Sequence, residues 1–264
     1  MNWLTDYATA YRRAQEQRRW LLIYFRNGTP TAAEREFENT TLQDPQVIQQ
    51  LAAYERVQLS VEGPVQLDGQ PVDLLDHPAF VHMNGREGLA IVDLRHPGRS
   101  YYQRPVSCLP FQQPVYYAAP YASPQSVRVL LDLPPGTITQ RTMVYAVRMH
   151  PERPASTAGA ADAVLLDECR QHCSHQARLR RQGHHRWERR FPRIWRTLGG
   201  KPPVEVCAES WPGKGLLAAC IDCVHSWRQS SGHWNAVRSG HPAYGYDIQR
   251  GSNGIWYATG IFGG

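Results

Sequence analysis

Three residues stand out for the chemistry they could do together. His185, Glu209 and His233 follow one another at intervals of 24 residues, and each falls at the expected end of a secondary-structure element, where side chains distant in the chain can converge. Two imidazoles beside one carboxylate make a donor set for a divalent metal such as zinc, with water completing the coordination. The same set could instead move protons, because histidine titrates near neutrality. It could also persist as a hydrogen-bonded structural network that neither binds nor turns over. His184 directly precedes His185 and is an alternate first ligand; His185 is preferred for its place beside Arg186 and Trp187. His172, His175 and His225 fall on expected helices and read as solvated or capping groups.

The six cysteines offer a second chemistry. Cys220 and Cys223 have redox or zinc spacing, and Cys169 and Cys173 lie four apart on one helix face. Both pairs sit in helical apolar patterns, and a zinc site needs four converging ligands where the sequence offers pairs. Buried structural thiols are therefore the first reading, with a zinc site and a disulfide as alternatives. Cys108, near a proline after the last strand of the first half, reads as structural too.

The elements that must position these groups follow from periodicity and punctuation. Residues 3–18 predict an amphipathic helix and residues 20–25 a buried strand bounded by Asn27 and Gly28. Helices are expected over 31–39 and 44–54, the second with Asp44 as N-cap and Pro45 at the first helical position. Strands over 57–61, 88–94 and 100–106, with a helix over 76–83, give the alternation of a layered α/β domain. Residues 110–137 carry prolines at 110, 114, 120, 124, 134 and 135 and predict a linker. Beyond it, helices are expected over 139–149, 162–181, 187–198 and 215–229. Strands are expected over 204–207, 243–249 and 255–262, the last two flanking a turn at 251–254.

Composition bounds the class. A chain of 264 residues with 42% hydrophobic residues supports two domains, each with its own core. No stretch reaches the roughly 18 apolar residues of a membrane span. The first residues lack the basic, apolar and small-residue pattern of a secretory signal, so a soluble, cytoplasmic protein is expected. The net charge of +6 is concentrated in residues 165–200, where nine arginines face Asp167, Glu168 and Glu188. A solvated helix face is preferred to a phosphate or nucleic-acid surface, since no nucleic-acid motif accompanies the charge.

Two family resemblances follow from the residues. Over residues 3–110 the order strand, loop, helix, helix, strand, with Gly88-Leu89-Ala90-Ile91-Val92-Asp93 as a later strand, resembles the thioredoxin-like superfamily. That family carries a Cys-x-x-Cys pair after the first core strand, where a helix N-terminus lowers the thiol pKa; residues 27–34 hold no cysteine, and Gly88 stands where the family places a cis-proline. From residue 137 onward the chain resembles the CAP superfamily of sperm-coating and pathogenesis-related proteins, which implies an α-β-α sandwich. The matching residues are Gly183-His184-His185, Cys207-Ala208-Glu209-Ser210, the helix ending Val224-His225-Ser226-Trp227, Ser231-Gly232-His233-Trp234-Asn235, and the terminal strand closing in Phe262-Gly263. Ala208 and Ser210 stand where the family reads Gly and Asn, and an acidic residue that many eukaryotic members carry is missing from 228–230.

The expectation is thus an α/β protein with a thioredoxin-like domain (1–110), a linker (111–136) and a CAP-type domain (137–264). The first domain lacks the nucleophile for thiol-disulfide exchange and is expected to dock a protein partner. The CAP cleft is expected to hold a metal ion, zinc foremost, and a small ligand or peptide. Two alternatives remain: a hydrolase in which His233 or His185 activates water and Glu209 orients it, and a structural interaction protein recruiting acidic or nucleic-acid partners through residues 178–196.

Overall fold

The computed structural model describes residues 2–67, 69–112 and 119–264. The chain divides into two compact units, Met1–Ile138 and Thr139–Gly264. Among the described residues no helix is long and apolar enough to cross a membrane.

The first unit opens with α1 (Tyr7–Glu16), whose N-cap Asp6 accepts from the Thr9 amide, and β1 (Trp20–Arg26), which is buried almost throughout. Two helices follow. In α2 (Ala32–Asn39) Thr31 and Glu34 form a capping box; α3 (Pro45–Leu51) starts on the Asp44 cap with proline at its first position, where the missing N–H costs nothing. The chain returns as β2 (Tyr54–Ser60), makes the hairpin β3 (Val65–Leu67) and β4 (Gln70–Val72), passes a 3-10 turn at Pro78–Met83, and adds β5 (Gly88–Asp93) and β6 (Pro105–Pro110). The sheet order is β2-β1-β5-β6, with β1 and β2 parallel and the remaining pairs antiparallel. Every peptide bond among the described residues is trans. At Gly88, φ is +142° and an added Cβ would lie within 2.3 Å of the Leu109 carbonyl oxygen, so only glycine lets β5 and β6 meet there.

The expected linker needs correction. Residues 113–118 lie outside the described residues, but α4 (Pro124–Leu131) forms inside the stretch read as a linker. Ser123 caps it, Pro124 opens it, and Val127, Leu130 and Leu131 are buried, with the helix packed against α3. The 100–106 strand also starts later than expected, at Pro105, after turns.

The second unit contains α5 (Ile138–Met149), the short β7 (Ala160–Ala161), α6 (Ala163–Leu179), α7 (Trp187–Leu198), β8 (Val204–Glu209), α8 (Leu216–Gln229), α9 (Ser231–Arg238), β9 (Ala243–Arg250) and β10 (Trp256–Gly263). The sheet runs β7-β9-β10-β8. Alternation along β10 places Thr259 and Ile261 against α6, while Phe262 meets Tyr246, which in turn packs against Trp227 of α8. The sheet is therefore covered by α6 on one face and α8 on the other. Close contact with α6 is bought by Gly245, where a Cβ would fall 2.4 Å from the Leu165 carbonyl carbon.

Asp247 is fully buried on β9. Burial lifts its carboxyl from 3.8 to about 6, against hydrogen bonds from Thr139, the Ile248 amide and Gln140 that favour the anion. A carboxyl whose folded value lies above its unfolded value holds its proton more tightly when folded. Its stabilising contribution is whole below about pH 4 and is lost as pH rises through about 6. The loss amounts to about 3 kcal/mol, at about 1.4 kcal/mol per tenfold change in proton affinity. Asp247→Asn removes this titration. The melting temperature of the variant minus that of the wild type should grow by several degrees between about pH 4 and pH 7.5, as read by circular dichroism; a flat difference would show that Asp247 does not titrate in that window.

Candidate functional site

Strand β8 interrupts its apolar run with Glu205, and the register with β10 sets Glu205 opposite Ile261 and Cys207 opposite Thr259, toward α6. Glu205 is buried yet fully partnered. Arg190 Nη1, from α7, donates to its Oε2 at 2.6 Å, and His184, in the loop between α6 and α7, donates from Nδ1 to Oε1 at 3.1 Å. His172 of α6 comes from the other side, its Nδ1 lying 3.5 Å from Oε2, 3.0 Å from Thr259 Oγ1 and 3.8 Å from Cys207 Sγ. His184 reaches outward from this buried group, and its Nε2 lies 3.4 Å from Nε2 of His233 in α9.

The electrostatics are consistent with this wiring. Burial alone would raise the Glu205 carboxyl, but the hydrogen bond from His184, the neighbouring His172 ring and the Arg190 guanidinium outweigh it and hold the group below the usual carboxylate range. Glu205 is therefore an acceptor, and the His184 proton must sit on Nδ1, which leaves a lone pair on Nε2 aimed at His233. Burial, and secondarily the presence of His184, lowers the His233 pKa. His172 is pushed down to about 4, chiefly by burial, so it is neutral at neutral pH. Burial, with the Glu205 charge beside it, pushes the Cys207 thiol well above its usual range.

Two placements in this region offer metal ligands. His172, Glu205 and Cys207 present one ligand atom each within 4.8 Å of one another and could hold a metal ion. A guanidinium already sits on the shared carboxylate oxygen, however, and a thiol ligates only after losing its proton. His184 and His233 fit better. Two nitrogens bound at about 2.05 Å to a tetrahedral zinc stand about 3.3 Å apart, close to the 3.4 Å between the two Nε2 atoms. Behind His184, Glu205 supplies the carboxylate that fixes a ligating imidazole.

The residues singled out from sequence divide accordingly. His233 and the alternate His184 meet. His185 does not join them: its Nε2 takes the Arg181 carbonyl at 3.1 Å, and its ring packs near His175 and His172. Glu209 is exposed at the end of β8, lining a depression with Asp222 and His225, and among the described residues no hydrogen bond joins it to His184 or His233. His172, read as solvated or capping, is instead buried. Glu205 was missed, although a carboxylate two residues before Cys207 in an apolar strand signals a buried, paired charge. All six cysteines are free and buried, Cys169 and Cys173 on α6 and Cys220 and Cys223 on α8. No protein-family model matches the chain, and no curated protein matches it.

Proposed function

We propose that the second unit is a CAP-like domain that binds zinc through His184 and His233, with Glu205 orienting His184, and that the open coordination positions take a small ligand or peptide. The observation that carries this reading is the 3.4 Å approach of the two Nε2 atoms, one of them with its lone pair fixed by Glu205. Bound zinc would supply a Lewis-acidic centre that polarises a ligand oxygen or nitrogen. His184 is held in one tautomer and one orientation, while His233 stands at the mouth of the site on α9. The sheet held between α6 and α8 supports the CAP-type layout. In the first unit, a parallel β1-α-β2 crossover followed by the antiparallel β5 and β6 supports the thioredoxin-like reading. With no thiol in residues 27–34, that unit serves as a docking domain for a protein partner.

Binding is preferred to hydrolysis because the carboxylate beside the imidazoles is buried and committed to Arg190 and His184, and so does not orient an attacking water. The test is metal content. After equilibration with zinc and extensive dialysis, plasma mass spectrometry should find about one zinc per wild-type chain and far less in His184→Ala or His233→Ala. Equal zinc in all three proteins would remove the proposal.

A further inference from the structure

A cavity of about 550 Å³ opens between α6 and α7, with His172 among its lining residues. Five arginines line it: Arg170 and Arg178 from α6, Arg186 from the intervening loop, and Arg190 and Arg193 from α7. Three of them are neutralised by carboxylates. Arg170 pairs with Asp167 at 2.6 Å, Arg193 forks over Glu168, and Arg190 holds Glu205. Among the described residues no carboxylate pairs with Arg178 or Arg186, so the cavity keeps two positive charges facing its interior.

Two buried donors or acceptors in the wall are also unmet. Nη2 of Arg190 and Nε2 of His172 are shielded from solvent and have no hydrogen-bond partner, although the other polar atoms of both side chains are engaged. His172 is only 2% exposed. Buried polar atoms are nearly always paired, so each points to a partner that the described residues do not supply.

We infer that this cavity binds the phosphate group of a small phosphate monoester. A phosphate carries close to two negative charges and three acceptor oxygens, which matches the guanidiniums of Arg178 and Arg186 in the cavity lining. Arginine presents the planar fork suited to such a group. The concave shape and volume suit a small molecule. A polynucleotide would need a longer track of cations than two unpaired arginines provide.

The site differs from the zinc site proposed above and is tested separately. Isothermal titration calorimetry of the full chain at low salt, with inorganic phosphate and then phenyl phosphate, should give saturable binding at one site. Arg178→Gln and Arg186→Asn should each weaken it by about tenfold or more, the loss expected for one charge-assisted contact. Both side chains are exposed, and asparagine tolerates the left-handed backbone at position 186, where φ is 57°, so melting temperatures should stay at the wild-type value. His233→Ala should bind phosphate as the wild type does. Absence of saturable heat, or equal affinity in the arginine variants, would overturn the assignment. A single-stranded oligonucleotide that binds more tightly than phenyl phosphate and is displaced by it would overturn it as well.

Discussion

Glu205→Ala should destabilise the second unit by about 3 kcal/mol, the largest effect expected of any single substitution at the site. Removing one member of a buried ion pair costs roughly 3–5 kcal/mol, because the remaining charge stays desolvated without a partner. The low end applies here, since Arg190 keeps a second carboxylate, Glu168, with its Nε at 3.6 Å. Chemical denaturation should show a lower midpoint with an unchanged slope, and the melting temperature should fall by roughly 10 °C. Glu205→Gln keeps the shape and one acceptor oxygen and should cost about half as much. A Glu205→Ala protein within about 1 kcal/mol of wild type would mean that Arg190 reaches solvent and that the buried wiring is not as described. The glutamine variant also probes position: zinc affinity should drop by about 10- to 100-fold, as for other losses of a carboxylate behind a ligating histidine.

Zinc at about 100 times its dissociation constant should stabilise the wild type by about 2.7 kcal/mol, because a ligand that binds only the folded state shifts the equilibrium by mass action. Differential scanning calorimetry should register this as a rise of several degrees. His184→Ala and His233→Ala should abolish the rise, whereas His185→Ala and Glu209→Gln should keep it, since among the described residues neither side chain is joined to His184 or His233. The pH dependence has a definite sign. Zinc takes neutral imidazole, and burial lowers the His233 pKa, so stabilisation should persist to a lower pH than for a solvent-exposed histidine pair. A rise that survives in both His184→Ala and His233→Ala would place the metal elsewhere.

Most elements were legible because their end signals are local. Thr31 with Glu34, Asp44 with Pro45, and Asp162 ahead of α6 are caps whose chemistry lies within four residues of the helix they start. Proline misled in one place. Density of prolines suggested a linker, yet Pro124 after Ser123 is itself a helix start, and the apolar face behind it was the stronger signal. Helix α9 lay hidden in a motif read for its histidine, and β7 is too short to show a period. At the site, His233 was legible. The choice of His185 over His184 rested on its place beside Arg186 and Trp187, which says nothing of what the ring can reach. Convergence depends on which ring finds a buried carboxylate, and Glu205 could be recognised as that carboxylate only once β8 was set against α6 and α7.

The loop after β1 carries one more implication. Glu34 is buried and accepts from the Asn27 amide at 2.7 Å, the Asn27 side chain at 3.1 Å and the Thr31 amide at 2.6 Å. A permanent anion thus consumes the donors that would otherwise favour a sulfur anion at the start of α2, and its field would raise the pKa of any thiol placed beside it. Residues 27–34 therefore hold neither a sulfur nor the free amide donors that would stabilise one as an anion. The loop is instead a contour tied down at both ends by one carboxylate, held by contacts that oxidation or reduction does not alter.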